Sequence, residues 1–154
     1  MTNKIRQEEI DAAREARHRL IDLAKADLER YRKAHQNVEF AAGVLEFAKS
    51  QAEPGAVRMD PNQSSGSGGV GCLEDRIYQI VLKEQALDDA IDKREDIRRE
   101  IMLRIRKVDD KDLRLILIGK YIELIPLAKI PVYYAEAHLK RKHHDALIQY
   151  GSQM

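Results

Sequence analysis

Five consecutive side chains near the C-terminus, Lys140, Arg141, Lys142, His143 and His144, are the residues whose types and spacing most readily do chemistry. Clustered cations bind polyanions because they displace the counterions condensed on a phosphate backbone. His138, His143 and His144 also raise the question of a metal. No cysteine or acidic ligand stands at a suitable spacing, and adjacent residues on a helix diverge by about 100°. These histidines are therefore expected to contact phosphate or bases, or simply to be exposed, and no metal is expected. No nucleophile, base and orienting acid can be assembled, so the chain reads as a non-enzyme without a cofactor. Asp109, Asp110 and Asp112 imitate a cation loop, but its glycine and distal glutamate are missing. Helix capping by these acids is the better reading.

The elements that must position this cluster are helices. Residues 113–149 read as three helices, with breaks at 122–126 and 130–134. The first, about 110–122, is expected to bury Leu113, Leu115, Ile116, Ile118 and Tyr121, with Lys111, Arg114 and Lys120 facing out. Pro126 suits the first turn of a short helix ending at Ile130, in which Leu127 and Ala128 are small enough for close packing, and Pro131 stops it. The last helix, 134–148, would turn Ala137, Leu139, Ala146, Leu147 and Ile148 inward and the basic run outward. That is the outline of a helix-turn-helix, whose second helix enters the major groove of DNA. Tyr133 and Tyr134 either stack on nucleic acid or plug the core at the turn.

The whole chain is consistent with a helical protein. Of its 154 residues 34% are charged and 5% aromatic, and tryptophan is absent. Ala, Leu, Ile, Glu, Lys and Arg dominate, so helices are expected and almost no strand. Lys and Arg number 27 against 26 Asp and Glu, a net charge of +1. The formal charge is +1 over 1–50, −1 over 51–72, −2 over 73–110 and +3 over 111–154, so the C-terminal segment is the basic end. Cys72 is the only cysteine, which excludes an internal disulfide and a cysteine-rich zinc site. No run approaches the roughly 18 apolar residues of a membrane span. The first residues lack the apolar core of a signal peptide, and a cytoplasmic protein without a membrane partner is expected.

Residues 1–50 read as one long helix, in which Ile10, Ala13, Leu20, Ala24, Leu28, Tyr31, Val38, Ala42 and Leu45 form a single apolar stripe. Residues 51–72, with two prolines and a Ser/Gly tract, read as a flexible linker. A second long helix, 73–108, carries Leu73, Ile77, Ile80, Leu87, Ile91, Ile101, Ile105 and Val108 on one register, which Glu84, Arg94 and Arg98 interrupt with charge. Cross-helix ion pairs are therefore expected. Arg98, Arg99, Arg104, Arg106 and Lys107 read as a solvated face. The two helices should fold back as an antiparallel, coiled-coil-like hairpin. Because two helices make a thin core, a second copy or another protein should complete the bundle. The expected fold is thus all-α: a long antiparallel helical hairpin followed by a C-terminal helix-turn-helix unit at 109–154.

The segments KYIE, LAKI and YYAEAHLKRKHHDAL resemble the C-terminal part of phage-encoded late transcriptional regulators of the ArpU/RinA-like, DUF1492 type, which are also similar in a Ser/Gly-rich break like RMDPNQSSGSGG, a helix like LEDRIYQIV and a stretch like DDKDLRLILIGKYIE. The ends of those proteins are distantly similar to the region-4 helix-turn-helix of sigma-70 factors. The resemblance spans about 57–147. It implies promoter control by contact with double-stranded DNA, with or without RNA polymerase; the thin hairpin core adds the expectation of a homodimer. It also places Glu136, His138, Lys140, Arg141 and His144 at DNA-facing positions. Leu127 and Ala128 then belong to the scaffold helix, and Ala146 and Leu147 to the closing pair of the recognition helix. The chain departs from the pattern at Pro131, where an aliphatic residue is usual, and at Tyr134-Ala135, where serine commonly caps the helix. A rival reading is a helical interaction protein that binds polymerase or a phage assembly component and no DNA.

Overall fold

The computed structural model describes residues 2–52 and 70–154. All regular structure among them is helical. Helix α1 is Thr2–Ala52, α2 is Val70–Arg106, α3 is Lys111–Leu117 and α4 is Glu136–Gly151. A π-helical turn, Ile118–Ile122, extends α3, and a 3-10 turn, Leu127–Lys129, lies in the connection to α4. The linker expected at 51–72 lies outside the described residues except at its ends, where Gln51 and Ala52 close α1 and 70–72 open α2. The chain divides into two compact units, Met1–Lys33 with Asp96–Met154 (unit 1) and Ala34–Glu95 (unit 2).

Unit 1 is built on the apolar stripe of α1. Ala24, Leu28 and Tyr31 are buried in it together with Ile97, Ile101, Ile105 and Val108. The two helices run in opposite directions, since Asp27 pairs with Arg104 and Arg30 with Glu100 (3.1 Å). These cross-helix ion pairs are made by Glu100 and Arg104, which lie beside the register, and not by Glu84, Arg94 and Arg98, the charges that interrupt it. At the centre the Asp27 carboxylate is only 6% exposed. It accepts from Arg104 Nη1 at 2.5 Å, from the Tyr150 hydroxyl at 2.5 Å and from Arg30 Nη1 at 2.8 Å. Burial alone would raise its pKa, but the hydrogen bonds from Tyr150, Arg30 and Arg104 outweigh it and hold the carboxyl below its ordinary value of 3.8. Arg104, expected on a solvated face, is instead half-buried against this carboxylate. Residues 2–19 of α1 are exposed throughout, so Ile10 and Ala13 do not join the buried stripe.

The end of α2 is tied down by Arg114, which was expected to face out. Its Nη1 donates to the carbonyls of Val108 (2.6 Å) and Asp109 (3.0 Å) and stops the chain from continuing straight. Asp110 then caps α3, its side chain accepting from the Asp112 amide at 2.8 Å. Leu113, Ile116 and Leu117 are buried, whereas Leu115, expected in the core, is 40% exposed and Ile118 half-buried. A seven-residue helix can turn only one stripe inward, and Leu115 lies off it. The π turn carries Gly119, Tyr121 and Ile122 inward. Gly119 faces the Ile130 side chain, which a Cβ would meet at 3.1 Å.

The short helix expected at 126–130 is a three-residue 3-10 turn with no buried side chain. Leu127 does pack, with Ile125, Val132 and Tyr134, on the cluster of Ile116, Ile130 and Leu139. Ala128 is exposed, against expectation, because one turn of so tight a helix presents too little surface for a second inward residue. Pro131 is exposed as well, and its neighbours Ile130 and Val132 supply the apolar contacts. Helix α4 starts at Glu136. Its N-cap, Ala135, is extended and makes no side-chain capping bond, as expected where alanine replaces serine. Ala137, expected inside, is exposed; Leu139, Ala146, Leu147 and Tyr150 are buried. Gly151 ends α4 against the Leu20 carbonyl, with no room for a Cβ.

Unit 2 is thinner. Ala34 and Leu45 of α1 are buried, and Arg94 of α2 approaches His35 at 3.4 Å. Ile80, Leu87 and Ile91 are half-buried, but Leu73 and Ile77, expected on the inner face, are more than half exposed. Phe40, Phe47, Tyr78, Val81 and Leu82 are exposed too.

Tyr150→Phe removes one hydrogen bond to a charged group and should cost about 1.5–3 kcal/mol in urea unfolding. Asp27→Ala leaves Arg104 and Tyr150 facing an empty site and should cost more, about 3–5 kcal/mol. Equal, small effects of both would show that the cluster is not central to stability.

Candidate functional site

At about 100° per residue, the buried positions of α4 (Leu139, His143, Ala146, Leu147, Tyr150 and Gly151) occupy an arc of about 140°. His138, Arg141, His144 and Asp145 fall in an arc of about 120° on the opposite side. All four are exposed. Glu136 and Lys140 are exposed as well, but they lie on the side of the helix that its later turns bury, and they pair with each other at 3.3 Å. The five residues expected to face DNA are thus all at the surface but not on one face. Lys142 is half-buried, 3.9 Å from Asp110, with its ammonium over the Tyr134 ring. Arg141, His138 and His144 remain as the outward basic and imidazole groups. The two tyrosines separate: Tyr134 plugs the core edge and donates to Asp112, while Tyr133 stands fully in solvent.

His143 is the main correction to the basic cluster. It is 6% exposed, and its Nε2 lies 2.9 Å from the Tyr121 hydroxyl, so it contacts neither phosphate nor solvent. Burial, followed by the charges of Lys120, His144 and Lys25, pushes its pKa from 6.5 down to about 4. Burial and the Glu29 charge push Tyr121 up to about 12. A neutral His143 therefore accepts from a protonated phenol. Periodicity contained this signal, since His143 falls four residues after Leu139 and four before Leu147 on the inner stripe.

The larger feature of the site is electrostatic. Unit 1 carries 21 Lys and Arg against 15 Asp and Glu, a net +6, and unit 2 carries 6 against 11, a net −5. Windows taken along the sequence dilute this separation, because unit 1 joins the first 33 residues to the last 59. Among the described residues no group of His, Cys, Asp and Glu is placed to hold a metal ion, and no helix is long and apolar enough to cross a membrane.

Unit 1 also carries a cleft of about 210 Å³ lined by Glu29, Arg32, Lys120, Tyr121, Leu124, Ile125, Pro126 and Leu127. Tyr121 forms part of its wall and His143 stands behind it. In comparisons with known proteins, no family model, no curated protein and no solved structure matches the chain.

The His143 environment has a pH signature. The unfolded imidazole takes a proton near pH 6.5, whereas the folded one refuses it until about 4. Stability should therefore be constant above the ordinary value and fall as pH drops between the two, by on the order of 3 kcal/mol in all. Urea unfolding across that range should show the loss in the wild type and a much flatter profile in His143→Gln. Parallel profiles would assign the pH dependence elsewhere.

Proposed function

We propose that the protein is a DNA-binding transcriptional regulator of the phage late-promoter type, in which unit 1 contacts the duplex through the outward face of α4. The observation that carries this reading is the net +6 of unit 1, set on a chain whose total is only +1. A polyanion is attracted to such a field at long range, and affinity then comes from phosphate contacts. Arg141, His138 and His144 project from the same outward arc and supply a cation and two hydrogen-bonding rings. The α4 N-terminus, without a side-chain cap, leaves backbone N–H groups for an anion. Glu136, in the first turn and at the surface, suits a base amine of cytosine better than a phosphate. RNA polymerase is the further partner that the family resemblance implies.

Unit 2 supports the homodimer within this reading, and it is also the observation that favours the rival one. Phe40, Phe47, Leu73, Ile77, Tyr78, Val81 and Leu82 leave more apolar surface open than a self-sufficient helical pair needs. In the rival reading these residues bind another protein, and unit 1 binds no DNA.

The two α4 cations distinguish a phosphate-contacting helix from a merely charged one. Arg141→Ala should weaken binding to all duplex sequences and reduce the slope of log K against log salt by about 1. Lys140→Ala should do less, because its ammonium is already shared with Glu136. Gel-shift titrations at several salt concentrations measure both, and an unchanged slope in Arg141→Ala would remove α4 from the interface.

A further inference from the structure

The cleft of unit 1 is shaped by two unusual pieces of backbone that nothing in the α4 interface requires. The π turn donates from the Glu123 amide to the Ile118 carbonyl at 2.9 Å, five residues back. Leu124 follows with φ 55°, a left-handed conformation that costs a side-chain-bearing residue about 1–2 kcal/mol. It reverses the chain, so that the Ile125 amide donates to the Gly119 carbonyl at 2.8 Å and residues 124–127 become one wall of the cleft. Single π turns and strained residues of this kind gather at functional sites, where the surroundings over-determine them.

The chemistry of the lining is specific. Leu124, Ile125, Pro126 and Leu127 make an apolar wall, and Glu29, Arg32 and Lys120 are the charged groups around it. Glu29 and Arg32 are three residues apart on α1, a spacing at which opposite charges offset each other. With Lys120 the charged lining sums to +1. Lys120 is half-buried, and its ammonium sits 5.8 Å from the centre of the Tyr121 ring, which also lines the cleft. A volume of about 210 Å³ lies below the range of sites for drug-sized ligands. The occupant must therefore be small, singly anionic and partly apolar.

We propose that this cleft binds a small carboxylate bearing a short apolar tail, with the anion on Lys120 and the tail against Leu124, Ile125, Pro126 and Leu127. The ligand neutralises the net positive charge and covers the apolar wall in one step. This site is separate from the outward face of α4 and does not depend on DNA binding.

The test is a titration of the full, 15N-labelled chain with hexanoate, and with acetate and hexylamine as probes of the tail and of the charge. Hexanoate should shift the amide signals of Tyr121, Leu124, Ile125 and Leu127 saturably, with a millimolar dissociation constant. Acetate and hexylamine should bind at least about tenfold more weakly. Lys120→Gln should weaken hexanoate binding about tenfold, and Lys120→Arg should keep it within about threefold. Absence of a saturable shift, equal binding of the amine, or full binding by a folded Lys120→Gln protein would each overturn the proposal. The comparison of hexanoate with hexylamine on the wild type decides it even if Lys120→Gln fails to fold.

Discussion

The Asp27 carboxylate is nearly dry and still charged, and unit 1 is arranged around that constraint. An ionised carboxylate out of water is tolerable only when its oxygens are fully engaged. Here Arg30 comes from the same helix, Arg104 from α2 and Tyr150 from α4. Three helices that are distant in sequence are thereby fixed in register, which apolar packing alone specifies loosely. Placing Tyr150 at full burial also fixes the rotation of α4, since the residues at its inner stripe then follow. The outward arc of Arg141, His138 and His144 is a consequence of that anchor.

The same assembly concentrates charge. Neither the first 33 residues nor the last 59 form a strongly basic segment by themselves. Folded into one unit with the acidic residues 34–95 excluded, they carry a net +6. The proposed attraction for DNA is thus a property of the tertiary arrangement more than of the Lys/Arg/His run. Within that run, His143 serves the core and Lys140 and Lys142 have acidic neighbours.

Much of the fold was legible in the sequence, because helix propensity, the apolar stripe of α1 and the Asp110 cap all act locally. Cross-helix ion pairing was expected from the charges on the apolar register, but the pairs to Asp27 and Arg30 come from Arg104 and Glu100 beside it, and Asp27 itself lay just beside the stripe and gave no warning. The connection between α3 and α4 was not legible. Pro126 marked a helix start, but too few residues follow before Pro131 for more than a single 3-10 turn. The π turn and the left-handed Leu124 carry no glycine or asparagine signature at the reversal, and tertiary contacts hold them. The site was half legible: exposure of Glu136, His138, Lys140, Arg141 and His144 followed from polarity, whereas the inward turn of His143 required the periodicity to be weighed above residue type.

The proposed polyanion-binding surface of unit 1 is tested by the anisotropy of a fluorescent duplex titrated with the full chain between about 50 and about 200 mM salt. Binding is expected at the low end, with log K falling linearly in log salt at about −0.9 per phosphate contacted. Absence of binding at the lowest salt, or an affinity indifferent to salt, would contradict it.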